Sequence, residues 1–280
     1  MIAGYSGFNE YLTRQANMDF HIPQHLLNKP LRILLIGAGG SGSQIATELF
    51  QMDSLLRQLS QQSVYIDLTI VDGDTVSIFN VGRQGFYLGD IGCNKADVLV
   101  NRFNNFGGTN WKSIPNYCSP KDINFSQFDF VITAVDKAQF RVELGQFFKN
   151  TRSHSDLLWL DLGNGANTGQ VVLGHANTVI RSDGVRLPNV FDLYGDMLKE
   201  IDDEKEDTPS CSTEAALTKQ DFGSNRAVAG QATQLIWQLV RYAKISHHGA
   251  FVDIANAVVQ PLKIDPQVWA VYGYETQKCA

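Results

Sequence analysis

Cysteine is scarce: four residues in 280, Cys93, Cys118, Cys211 and Cys279, with no C-x-x-C pair among them. So scattered a set excludes a disulfide framework, and the missing pairs argue against structural zinc. Nor is there an apolar run near the about 18 residues that a membrane-crossing helix needs. The first residues carry Glu10 and Asp19 but no apolar centre, so no secretory leader is expected and the reading is cytoplasmic. Positive charge is also short: 23 Lys and Arg against 29 Asp and Glu leave a net charge of −6, a poor match to nucleic acid as the main partner. Internal repeats and low-complexity tracts are missing too.

What is present is alternation. Apolar runs of strand length near 31–36, 65–72, 112–118, 129–135 and 157–162 alternate with helical stretches near 43–60, 92–105 and 137–150. This order predicts an α/β, Rossmann-like, doubly wound and mostly parallel sheet. Residues 1–30, interrupted by Pro23 and Pro30, read as an N-terminal arm, and 31–280 as one domain. Further on, Gly169–Leu173 and Asn177–Arg181 read as strands, and Asn189–Ile201 and Asn225–Ile245 as helices. From 250 to 274, Phe251, Ile254, Val258, Val259, Trp269 and Tyr272 suggest strands of an antiparallel C-terminal extension. His247 and His248 are adjacent and read as solvated loop residues.

The chemistry concentrates early. Leu31–Ile36 leads into Gly37-Ala38-Gly39-Gly40-Ser41-Gly42, and Ser43 onward reads as a helix with Ile45, Leu49, Leu56 and Leu59 on one face. Strand, glycine loop and helix in this order let backbone N–H groups approach a phosphate at a helix N-terminus. Gly37, Gly39 and Gly42 satisfy a dinucleotide fingerprint, although a tight turn in an empty sheet would use the same glycines. Asp72 stands where the next strand ends, placed to accept hydrogen bonds from ribose hydroxyls. Downstream, Arg83 offers a planar fork to phosphate oxygens and Lys95 a compact charge. Either alone could be a solvated surface cation. Two cations after such a loop favour ATP over NAD, since hydride transfer has no use for them.

Val71-Asp72-Gly73-Asp74-Thr75-Val76, then Asn80, Arg83-Gln84, and Asp90-Ile91-Gly92 with Lys95 resemble the signature of the ThiF/MoeB/HesA and ubiquitin-activating-enzyme superfamily. Phe130 to Asp136, with Arg141 five residues on, is similar to that family's strand leading to a magnesium-binding aspartate. Asp161-Leu162-Gly163 and Gly169-Gln170-Val171 resemble its next strand and turn. The likeness spans roughly residues 10–240, and length and the cysteine region also resemble the ThiF-like component of bacterial PRTRC systems.

The resemblance implies an adenylyltransferase. ATP would be bound by Gly37, Gly39, Gly40, Gly42, Asp72, Asp74, Asn80 and Gln84, with Arg83, Lys95 and Asp136 acting on its phosphates and Asp136 holding Mg2+. Tyr11 and Arg14-Gln15 resemble an arm whose arginine reaches the neighbouring protomer of a homodimer. The implied partner is a small ubiquitin-like or sulfur-carrier protein with a C-terminal Gly-Gly tail. Cys211, after the charged run Asp202–Asp207 and on what the resemblance implies is a crossover segment at about 200–215, would accept the activated carboxyl group; a buried inert thiol is the competing reading. Absence of the paired cysteines found in many relatives departs from the pattern. Adenylation of another carboxylate or an RNA substrate, an inactive scaffold and an NAD-dependent oxidoreductase are the alternatives.

Overall fold

The computed structural model describes residues 18–151, 155–179, 185–201 and 222–275. In chain order these form β1 (Phe20–His21), β2 (Leu31–Ile36), α1 (Gly40–Leu59), β3 (Ile66–Val71), α2 (Lys95–Gly107), β4 (Lys112–Ile114), β5 (Phe130–Thr133) and α3 (Ala138–Asn150). There follow β6 (Leu158–Asn164), β7 (Thr168–His175), α4 (Val190–Glu200), α5 (Ser224–Tyr242), β8 (Lys244–Ile245), β9 (His247–Asp253), β10 (Val258–Lys263) and α6 (Pro266–Val271).

Eight strands make one sheet in the order β10-β9-β7-β6-β5-β2-β3-β4. The five from β6 to β4 are parallel, and β7, β9 and β10 continue the sheet antiparallel beyond β6. The β2 sequence Leu-Arg-Ile-Leu-Leu-Ile is buried at five of six positions, as a parallel strand covered on both faces must be. From β2 the chain winds outward through β3 to β4, then crosses back and winds the other way through β5 to β6. Right-handed crossovers in opposite directions place α1 and α3 on opposite faces, so β2 and β5 flank the switch point.

Local chemistry sets the helix ends. The Asn94 side chain accepts from Asp97 N at 3.1 Å to cap α2, and Gly108, at φ +70°, ends it. Asn189 accepts from the N–H groups of Phe191 and Asp192, while Asp192 accepts from Asn189 N, a reciprocal cap on α4.

Three sequence expectations need correcting. Asn177 and Thr178 lie in a bend instead of a strand, with the Asn177 amide turned to Ser155 Oγ. The last segment around Trp269 is helix α6, started by Pro266 and capped by Asp265, because the apolar spacing there is too short to show a period. His247 and His248 begin β9, and His248 is fully buried. It accepts from the indole Nε1 of Trp269 at 2.8 Å, which leaves its Nδ1 to donate to Leu173 O at 2.7 Å. Sequence could not show this, since the partners lie on β7 and α6.

Of the expected arm, residues 18–30 are described, and they lie against the body: β1 pairs antiparallel with β8, and Phe20, Ile22 and Leu26 join the core. Arg14, Tyr11, Gln15 and Cys211 lie outside the described residues.

Candidate nucleotide site

One cleft of about 2000 Å3 runs along the carboxyl ends of the parallel strands and over the β7–β9–β10 face. Its floor at the switch point is the glycine loop. Gly37 has φ +95°, and a Cβ there would come 2.6 Å from Ala134 O on the β5 side. A Cβ on Gly42 would stand 1.9 Å from Gly37 O, so the loop folds on itself too tightly for any other residue. Helix α1 begins at Gly40, three residues earlier than the sequence suggested, so the loop already forms its first turn.

Asp72 clasps this loop. Its Oδ2 accepts from Ala38 N at 2.6 Å and its Oδ1 from Asp74 N at 2.8 Å. Burial pushes its pKa up, and the two N–H donors pull back against that. Half-buried in the wall, each oxygen retains lone-pair capacity for a ligand hydroxyl.

Lys95, the first residue of α2, is 7% exposed, and its Nζ donates to Asp74 Oδ2 at 2.8 Å. The other oxygen of Asp74 accepts from the Tyr117 hydroxyl. Burial raises the Asp74 pKa, but Lys95 and Tyr117 together hold it below the ordinary carboxylate range. Asp74 thus serves as an anchor for Lys95 within the cleft wall.

Arg83 also lines the cleft, and burial lowers its pKa without removing its charge at ordinary pH. The loop carrying it is stapled down. Gly85 N donates to Ser43 Oγ at 2.9 Å, Arg102 Nη1 donates to Gly85 O at 2.6 Å, and Gln84 N donates to Asn80 O at 2.9 Å. Gln84 lines the cleft, and its buried amide oxygen has no partner among the described residues. Asn80 stands outside the cleft lining: its Oδ1 accepts from Ser77 N at 2.8 Å and closes its own turn.

Opposite, Asp136 follows β5 and is exposed in the cleft wall. Arg141, which sequence placed in the same motif, lies beneath it and is 6% exposed. Its guanidinium donates to Asp161 Oδ1, Val135 O and Leu162 O, each at 2.8 Å, and so fixes both strand ends around Asp136.

Sequence reasoning missed Ser43, Arg102, Tyr117 and an uncharged cluster of Ser41, Asn164 and Asn225. Ser41 Oγ and Asn164 Nδ2 both donate to Asn225 Oδ1, at 2.9 and 2.7 Å, and Asn164 also donates to Ser41. Ser41 and Ser43, on either side of the last glycine, carried a signal in the sequence; Arg102, Tyr117, Asn164 and Asn225 come from distant elements.

A glycine cradle, a carboxylate at the next strand end and two cations at a topological switch point define the nucleotide-binding α/β class. Within that class the chain belongs to the ThiF family, whose family model matches residues 13–264. No curated protein matches the sequence. Among solved structures, PaaA is 16% identical with a TM-score of 0.53, over 84% of this chain and 64% of that one. Escherichia coli MccB solved with ATP is 12% identical at TM-score 0.54, over 86% of this chain and 65% of that one. MccB with AMPCPP and MccA gives 12% and 0.52, over 84% and 65%. These likenesses concern the fold, and the chain spans just under two thirds of the length of each.

Proposed function

We propose that the protein adenylates the C-terminal carboxylate of a small ubiquitin-like or sulfur-carrier protein at the expense of ATP. The observation that carries this is the convergence of Gly37, Gly39, Gly40, Asp72, Arg83, Lys95 and Asp136 on one cleft that continues over the β7–β9–β10 face. At about 2000 Å3 the cleft exceeds the 300–1,000 Å3 usual for a small ligand, leaving room for an extended tail beside a nucleotide. Family membership and the MccB structure solved with MccA add support from outside the chain.

The loop N–H groups and the N-terminus of α1 face the phosphates, and Asp72 accepts from the ribose. A carboxylate oxygen of the carrier attacks the α-phosphorus, the bond from that phosphorus to the bridging oxygen breaks, and pyrophosphate departs. Arg83 and Lys95 stabilise negative charge on the phosphate oxygens as it shifts. Their rigid mounting matters because charge stabilisation works best when no donor must reorganise.

Among the described residues no group of three or more His, Cys, Asp or Glu could hold a metal. Magnesium, however, is commonly held by one or two carboxylates together with substrate phosphates, and the exposed Asp136 at the cleft suits that mode. When bound, the ion would neutralise phosphate charge. Cys211 is the proposed acceptor in a second step: its thiolate attacks the acyl carbon, and AMP leaves. Arg14 of a second protomer is proposed to complete the phosphate site in a cytoplasmic homodimer.

The test is carrier-dependent exchange of labelled pyrophosphate into ATP, comparing the intact protein with Asp136→Asn. Exchange stimulated by a Gly-Gly protein and lost in the variant is expected. Exchange stimulated by tRNA but by no Gly-Gly protein would overturn the carrier assignment, and binding of NAD but not ATP would overturn the whole reading.

A further inference from the structure

Tyr117 is 81% exposed, yet it is not a loose surface side chain. It lies in the cleft wall, its hydroxyl donates to Asp74, and its ring presses so closely on Gly73 that a Cβ there would sit 2.6 Å from Cδ2 and Cγ. The Asp74 contact raises the phenol pKa to about 12, so the hydroxyl remains a donor at neutral pH. An aromatic ring fixed at both ends and open to a cleft is a platform. Its position in the sheet says for what.

The sites follow the order of strand ends. The phosphate loop follows β2, Asp72 follows β3, and Tyr117 follows β4, three adjacent parallel strands. A nucleotide laid across these ends with phosphates on the loop and ribose on Asp72 directs its base to the loop after β4. We propose that Tyr117 is the nucleobase platform of the adenylation site, the ring stacking on the adenine of ATP. This inference rests on the nucleotide reading given above.

The arrangement adds a link between the two ends of the substrate. Asp74 holds the Tyr117 hydroxyl with one oxygen and Lys95 with the other, so base and phosphate contacts share one carboxylate. Gly73 is what permits the contact, since any side chain there would displace the ring.

The experiment measures dissociation constants of magnesium-ATP and of magnesium tripolyphosphate, which lacks a base, for the full chain and for Tyr117→Ala and Tyr117→Phe. Stacking predicts that Tyr117→Ala weakens ATP about tenfold, within the range of base–aromatic stacking, and leaves tripolyphosphate unchanged. Tyr117→Phe, which keeps the ring, should hold ATP within about twofold of the intact protein. Equal loss of both ligands in Tyr117→Ala would mean that the residue acts through Asp74 and Lys95, and would overturn the platform. So would unchanged ATP binding in Tyr117→Ala, or a loss in Tyr117→Phe as large as in Tyr117→Ala. If the intact protein binds neither ligand, the nucleotide reading itself fails, a result separate from any of these.

Discussion

Lys95 and Arg83 bring charge to the cleft under different constraints. Lys95 is buried against Asp74, whereas Arg83 sits on a stapled loop and loses part of its hydration. Removing a preorganised cation from a phosphate-transfer site costs about 3 kcal/mol, on the order of a hundredfold in rate. Lys95→Met should therefore lower adenylate formation by about that factor while the circular dichroism spectrum is unchanged; a rate within threefold would remove Lys95 from the mechanism. Buried histidines give a second residue-scale expectation. Burial lowers His175, whose Nδ1 accepts from Leu187 N, to about 3, and His248 to about 4. Both are depressed from about 6.5, so the unfolded chain takes up protons first as pH falls. Their contribution to stability is complete above pH 6.5 and is lost as the pH drops toward 4, with a slope of up to about 2.7 kcal/mol per pH unit for two groups. Urea unfolding at pH 7, 6 and 5 should show the midpoint falling steadily. A flat profile would show that these rings are not held neutral by burial.

At the scale of elements, the glycine loop and α1 form one unit with the Arg83 loop. Ser43 links them through Gly85 N, and Gly42 allows the loop to fold against Gly37. Gly42→Ala must push the loop apart and should abolish nucleotide binding. Gly39→Ala meets no protein atom within 4 Å, so its melting temperature should be unchanged, while the added methyl on the cleft lining should weaken ATP binding. A thermal-shift titration with ATP reads both variants, and undiminished stabilisation by ATP in both would mean that the loop does not cradle the ligand. Ser43→Ala removes the staple together with the bond from Ser43 Oγ to Gly40 O, so a drop in the adenylation rate from a less constrained Arg83 is expected alongside a modest fall in melting temperature.

For the whole molecule, the expectation concerns ligands and copies. Magnesium-ATP at a hundred times its dissociation constant should stabilise the fold by about 2.7 kcal/mol, and excess EDTA should diminish the effect. Stabilisation by NAD alone would contradict the cleft's assignment. If Arg14 completes a partner's site, mixing inactive Arg14→Ala and Asp136→Asn proteins should restore part of the activity, because each mixed dimer then holds one intact site. No recovery after subunit exchange would assign Arg14 to its own chain or to no site at all.

Order along the chain was readable without coordinates wherever the physics is local. The apolar run of β2, the glycines after it, Asp72 at the end of β3 and the alternation of strand and helix depend on neighbours in sequence, and each emerged within a few residues of its expected place. Tertiary structure decided which of the polar residues share a cleft. Asn80 closes its own turn, Arg141 supports the walls from below, and Asp74 turns to Lys95 and Tyr117. His248 looked like a loop residue until Trp269 and Leu173 came to meet it across the sheet. The division has one physical cause: propensity and capping act over a few residues, while burial, ion pairing and close approach depend on partners that only the winding of β2, β3, β4, β5 and β6 brings together.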